Sequence, residues 1–260
     1  MQEIELYQDL KKTYKMNKKI ALKLFMLLVF SIVSLYSYSS EEKKTIYDSY
    51  ISDNMAAWKK TIDNMHFETK KDNQRELELL NYEYGYIGWC IGNKRFKDAK
   101  QYINRSQARM SKLKKVKANI PIIHAYQSAY YGFEIGLNKI KAPFVGPKSI
   151  EEAEKSISLD KDNYFGYIQM GNIEYYMPST FGGSKQKALQ FYLKAKLIMD
   201  KSKPENDWTY INLIAIIGMT YQELNNPKKA EEYYKLALKI SPDFKWVKNE
   251  LYPQFLKKTK

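Results

Sequence analysis

Cysteine occurs once in the 260 residues, at Cys90, which excludes an intramolecular disulfide framework. Histidine occurs twice, at His66 and His124, 58 positions apart and in no HxxxH or HxxE spacing. Nothing in that pattern encodes a zinc site, and no metal is expected. Arginine supplies only four of the 43 basic residues, Arg75, Arg95, Arg105 and Arg109. Readers of DNA sequence use arginine for bidentate contacts to bases, so a nucleic-acid partner is not expected despite a net charge of +14. Glycine and proline number 11 and 8 and fall mostly between periodic runs, which favours a helix-rich chain. There is no GxSxG elbow and no P-loop. Acidic pairs such as Glu151-Glu152 and Glu231-Glu232 are interleaved with lysine, as on a solvated helix face. No catalysis and no cofactor are expected.

What the chain does hold is apolar and aromatic. Hydrophobic residues make up 44% and aromatic residues 15%, with 23 tyrosines, enough for a real core. Cys90 lies in the apolar run GYIGWCIG, where a small buried residue is the expected role.

Residues 20–36, IALKLFMLLVFSIVSLY, follow Lys15, Lys18 and Lys19 and precede the small residues around Ser39. The roughly 13 apolar residues after Lys23 match the short h-region of a secretory signal and fall short of the ~20 a spanning helix needs. Residues 1–39 are read as an N-terminal extension and signal peptide, with cleavage near Ser39 and Met16 as an alternative start. Residues 40–260 are read as the working domain. Export to the periplasm or outside follows, with an uncleaved N-terminal anchor as the alternative and the only expected link to a membrane. Residues 40–260 still carry 37 basic and 26 acidic residues.

Apolar residues then recur at helical spacing. Tyr47, Ile51, Met55, Trp58, Ile62 and Met65 predict one helix, ended by the polar stretch Lys70 to Gln74. Leu77, Leu80, Tyr84, Ile87 and Ile91 predict the next, and Phe96, Ala99, Ile103, Met110 and Leu113 its partner. A longer helix is expected over Ile120–Lys139, with Pro121 in its first turn, then a loop from Lys141 to Lys148. Ala153 and Ser156 mark the following helix, and Tyr164 starts another. Trp246, Val247, Leu251 and Phe255 predict a helix that caps the end.

The stretch Ile211–Phe244 gives the plan. Ile214, Ile217, Gly218, Tyr221, Ala230, Tyr234, Ala237 and Pro242 occupy positions 4, 7, 8, 11, 20, 24, 27 and 32 of a 34-residue unit. In this it resembles a tetratricopeptide repeat (TPR), a pair of antiparallel helices. A second unit starts at Tyr164, with Met170 and Gly171 at positions 7 and 8. Its Ala188, Tyr192 and Ala195 come five residues late, after a lengthened turn, Met177 to Lys185. A third, placed with Gly88 at position 8, leaves Ala99 one residue short of position 20. The expected fold is all-α: a TPR-like α-solenoid of antiparallel helix pairs with a C-terminal capping helix.

The segment GNIEYYMPSTFGGSKQKALQFYLKAK resembles secreted Bacteroidetes TPR proteins with a Phe-Gly-Gly turn. A more distant resemblance reaches the TPR-type T component that accompanies TRAP transporters. The first resemblance implies an exported helical-repeat protein, and the second a periplasmic partner of a substrate-binding protein. Gly182-Gly183 could offer amides to an anion at the next helix start, but a tight turn needing positive φ is the simpler reading.

In a TPR array, positions 2, 5, 9, 12 and 13 of each first helix line the concave face. They select Tyr82 and Trp89, then Phe165, Asn172, Tyr175 and Tyr176, then Asn212 and Met219 as the groove. The expected function is an exported scaffold or binding module for a protein or peptide partner in the cell envelope. The alternative is a periplasmic solute-handling component that takes a small apolar ligand for a transporter. The same aromatics could instead be covered by the helix Ile120–Lys139 or by a neighbouring subunit, so a homo-oligomer stays open.

Overall fold

The computed structural model describes residues 41–259; the signal-like stretch and its cleavage site lie outside them. Residues 41–44 are helical, and the compact body begins at Thr45. Its helices are α1 (residues 45–51), α2 (Met55–Phe67), α3 (Asn73–Gly92), α4 (Phe96–Lys115), α5 (Ile120–Leu137), α6 (Ala142–Leu159), α7 (Tyr164–Tyr176), α8 (Lys185–Asp200), α9 (Trp208–Glu223), α10 (Pro227–Ile240) and α11 (Tyr252–Thr259). A π-helical turn, Trp246–Leu251, leads into α11. No strand occurs among the described residues, and no helix there is long and apolar enough to cross a membrane.

Short polar side chains start most of these helices. Asn54, Asp72, Asn119, Asn163, Ser184, Asp207 and Asn226 each accept a backbone N–H of the first turn, which satisfies donors that have no partner within the helix. At the first of these caps the single helix expected over Tyr47–Met65 proves to be two, because Asp53 turns left-handed (φ 54°) and Asn54 caps a new start. The loop expected over Lys141 to Lys148 is helical instead. Pro143 falls in the first turn of α6, where no N–H is needed, and Pro147 forfeits one bond without ending the helix.

Helices pair in sequence as α3 with α4, α5 with α6, α7 with α8 and α9 with α10. Two pairs mesh a glycine against a tyrosine ring. A Cβ on Gly171 would overlap Tyr192, and one on Gly218 would stand 2.9 Å from Tyr234. Each tyrosine then reaches back to the first helix, Tyr192 to Asn172 at 2.8 Å and Tyr234 to Gln222 at 2.9 Å. The pair α5 and α6 instead exchanges hydrogen bonds between Ser128 and Ser149. At the end of the array, Val247 and Phe255 bury against the last repeat, beside Ala237 and Tyr234.

The α3–α4 pair departs from the expected register. Glu83, Tyr86, Ile87 and Cys90 of α3 are buried, at the spacing of positions 4, 7, 8 and 11, whereas Gly88 is exposed. Position 8 is therefore Ile87, and Ala99, fully buried, takes position 20 without a missing residue. Phe96, expected inward, is 42% exposed. Glu83 is buried with two arginines: Arg105 at 3.1 Å and Arg109 at 3.2 Å, with Ser106 donating at 2.7 Å. Arg109 also pairs with Glu76, which Lys112 contacts at 2.9 Å. Two of the four arginines, Arg105 and Arg109, thus serve internal ion pairs.

Candidate functional site

The first helices of the pairs, α3, α5, α7 and α9, converge on Tyr84. Its ring lies 5.3 Å from Phe133 of α5, 5.0 Å from Phe165 of α7 and 6.1 Å from Trp208 of α9. Gln169 and Asn172 both reach its hydroxyl at 3.5 Å. With the register moved by one residue, Tyr84 occupies concave position 5 and Asn81 position 2. Asn81 accepts the Trp208 indole N–H at 2.7 Å. Neither residue was selected from the sequence; the offset of Ala99 was the signal that points to them.

The chain's own N-terminal hairpin fills part of this concave face. Trp58 of α2 is fully buried, donates to the Tyr82 carbonyl at 2.9 Å, and meets Trp208 edge-on at 5.2 Å. Gly85 makes room for both indoles, since a Cβ there would stand 2.7 Å from Trp58 and 2.8 Å from Trp208. From α1, Tyr50 packs on Trp58, Trp208 and Phe244 and donates to Asn212 at 2.6 Å. It is this hairpin, together with α5, that covers the face.

The eight residues selected from the sequence therefore separate. Tyr82 is buried, with its hydroxyl donating to Glu78. Phe165 is fully buried between Tyr84 and Tyr126. Neither offers surface to a ligand. Asn212 is engaged by Tyr50, and Met219 is half-buried against the last repeat. Trp89 is half-buried in a separate stack, between Tyr86 and the Arg95 guanidinium, 5.3 Å from its ring. Asn172, Tyr175 and Tyr176 stay together at the end of α7. Tyr175 and Tyr176 rings lie 5.0 Å apart, and Asn172 is held by Tyr192.

Tyr176 is the open element, 74% exposed. Surrounding protein, then the charge of Glu223, nevertheless raise its hydroxyl above the ordinary phenol range. Burial likewise raises Tyr50 and Tyr84, each sensing Tyr176. Tyr176 thus presents an open ring at the end of α7. Beside it, Tyr175 donates to Glu223 at 2.8 Å, and the Lys185 ammonium sits 3.4 Å above the Tyr175 ring and 3.2 Å from Glu223. These groups can present an aromatic platform with one carboxylate and one ammonium at its rim.

No group of three or more His, Cys, Asp or Glu side chains could hold a metal among the described residues. Burial pushes the Cys90 thiol up to about 11, against reactivity. His124 is buried and paired with Glu152. In the Phe-Gly-Gly turn, Gly182 takes φ +96°, and the amides of Gly182 and Gly183 donate to Ser179 and Pro178. Both N–H groups are spent within the turn, so they cradle no anion.

Sequential antiparallel helix pairs, with aromatic residues gathered from their first helices, define a TPR-like helical-repeat protein. Residues 211–244 match the family profile of the tetratricopeptide repeat. Among solved structures, the chain is similar to the HusA haemophore from Porphyromonas gingivalis, with a TM-score of 0.56 and 15% identity over 72% of this chain and 94% of that one. At that identity the likeness is one of fold. No curated protein matches the sequence.

Proposed function

We propose that this chain is a non-catalytic binding module that takes a protein segment on the open end of its concave face, around Tyr176. The observation that carries this reading is Tyr176 itself, a large ring left exposed at a concave position while its neighbours are packed away. Aromatic anchors with polar rims dominate interface energies, and Glu223 and Lys185 supply the rim. Asn172, Tyr175 and the half-buried Trp89 and Met219 flank the anchor in this reading. The module works outside the cytoplasm, as the basic, apolar and small-residue sequence of residues 15–39 suggests. A photo-crosslinking amino acid at Tyr176 should capture one defined partner in cells, whereas the same group at exposed Leu197 on α8 should not. Equal capture from both positions would defeat the proposal.

The fold likeness to a haemophore and the adjoining rings of Tyr175 and Tyr176, 5.0 Å apart, favour a second reading. A flat aromatic macrocycle such as haem would stack on this platform in place of a peptide side chain. Titration with haemin should then give a saturable shift of its main absorption band that Tyr176→Ala removes. A linear, unsaturated response would discard this second reading and leave the first intact.

A further inference from the structure

Antiparallel pairing places the turns within pairs on one edge of the array and the turns between pairs on the other. Two contacts fix this for the first edge. Gly136 near the end of α5 lies against Ile91 near the end of α3, and Tyr175 at the end of α7 bonds Glu223 at the end of α9.

The two edges differ in charge. Turns 92–98, 138–148, 177–187 and 224–229 hold ten basic residues and a single acid, Asp98. The opposite turns, 67–73, 115–120, 159–164, 200–208 and 240–245, hold eight of each sign. Adjacent helices lend acids to Lys141, Lys185, Lys187 and Lys229. Lys94, Lys97, Lys139, Lys148 and Lys228 remain exposed with no ion pair among the described residues.

The basic edge also carries protruding apolar side chains. Ile140 is 79% exposed in a 3-10 turn, Phe144 is 74% exposed in the first turn of α6, and Phe181 is 78% exposed beside Gly182. None of them has a packing reason to be apolar. Exposed hydrophobic patches rimmed by polar groups mark interaction sites. Nucleic acid would be served by the lysines but not by aliphatic tips, and Arg95, the one arginine here, is held over Trp89.

We propose that this edge docks on an anionic lipid bilayer, with Ile140, Phe144 and Phe181 entering the headgroup boundary and the unpaired lysines facing the phosphates. Lysine stems lie along apolar surface while their ammonium groups stay in water, and basic surfaces with apolar insertions bind anionic interfaces without spanning them. The groups placed in the bilayer, Ile140, Phe144, Phe181 and the unpaired lysines, are other residues than Tyr176 and its rim, so the test below reads the lipid contact separately from the peptide reading.

Site-resolved fluorescence tests it on the full chain. A polarity-sensitive thiol probe is placed at Phe144→Cys, Phe181→Cys or, on the opposite edge, Phe67→Cys; buried Cys90 stays unlabelled. Vesicles contain phosphatidylglycerol with phosphatidylcholine, or phosphatidylcholine alone. Probes at 144 and 181 should brighten and shift to the blue on the anionic vesicles, and the probe at 67 should not. Lys139→Glu with Lys148→Glu should weaken that response at least about thirtyfold, as expected when two lysines leave an anionic surface and two acids replace them. Silence at 144 and 181, an equal response at 67, or indifference to the two lysine changes would each overturn the proposal. An acidic protein partner at this edge would appear as the first of those outcomes.

Discussion

Replacing Trp58 by alanine tests whether the N-terminal hairpin is a structural part of the repeat array. The indole is fully buried, donates to the Tyr82 carbonyl, and meets Trp208 and Tyr50 edge-on at 5.2 and 5.9 Å. Truncating a buried tryptophan costs about 3–5 kcal/mol, and each lost aromatic pair adds about 0.5–1.5 kcal/mol. A mid-range cost of about 4 kcal/mol lowers Tm by roughly 8–16 °C in a domain of this size. Gly85→Ala approaches the same contact from the other side. Its methyl would stand 2.7 and 2.8 Å from two rings that other side chains already confine, an overpacking cost of about 1–3 kcal/mol. Thermal unfolding followed by circular dichroism at the helix band is the assay, since tryptophan fluorescence would be altered by the substitution itself. If Trp58→Ala shifts Tm by less than about 2 °C, against the magnitudes above, the hairpin does not hold the concave face and the reasoning fails.

Three further outcomes follow from the core. Arg109→Ala leaves Glu83 and Glu76 buried without their shared partner and should cost about 3–5 kcal/mol by chemical denaturation, far more than Lys229→Ala in the exposed pair with Glu232. Burial would raise the Glu76 carboxyl, but Lys112 and Arg109 outweigh it and hold the group below 4.5; burial at Asp63 is likewise outweighed by Lys59, Arg105 and Tyr102. Carboxyls depressed in the folded state stabilise it above their unfolded values and lose that contribution as pH falls, so denaturation midpoints should be level at neutral pH and drop below about pH 4.5, less steeply in Glu76→Gln. The Cys90 thiol should react with a chromogenic disulfide reagent only at the rate of unfolding, because it is both buried and poorly ionised.

The architecture was legible because glycine against tyrosine is a spacing constraint, and Gly218 with Tyr234 obeys it within one 34-residue stretch. The α3 register was legible only in part. Gly88 resembles the repeat's small residue, yet the buried face runs through Ile87, and that single step exchanges Tyr82 for Asn81 and Gly85 for Tyr84 as concave positions. The break at Asp53 was hidden because the apolar stripe continues at helical spacing across it. Above all, sequence periodicity reports which residues are buried and not which distant segment buries them. Nothing local to Trp58 or Tyr50 states that their partners are Trp208, Asn212 and Phe244. The Phe-Gly-Gly turn was readable, since Gly182 needs its positive φ whatever the surroundings.

Tyr176→Ala probes the central functional claim most directly, measured for thermal stability and for retention of the partner captured by crosslinking. An exposed groove ring that anchors a partner predicts an unchanged Tm together with loss of capture. A lowered Tm with capture retained would make Tyr176 part of the packing and contradict the account.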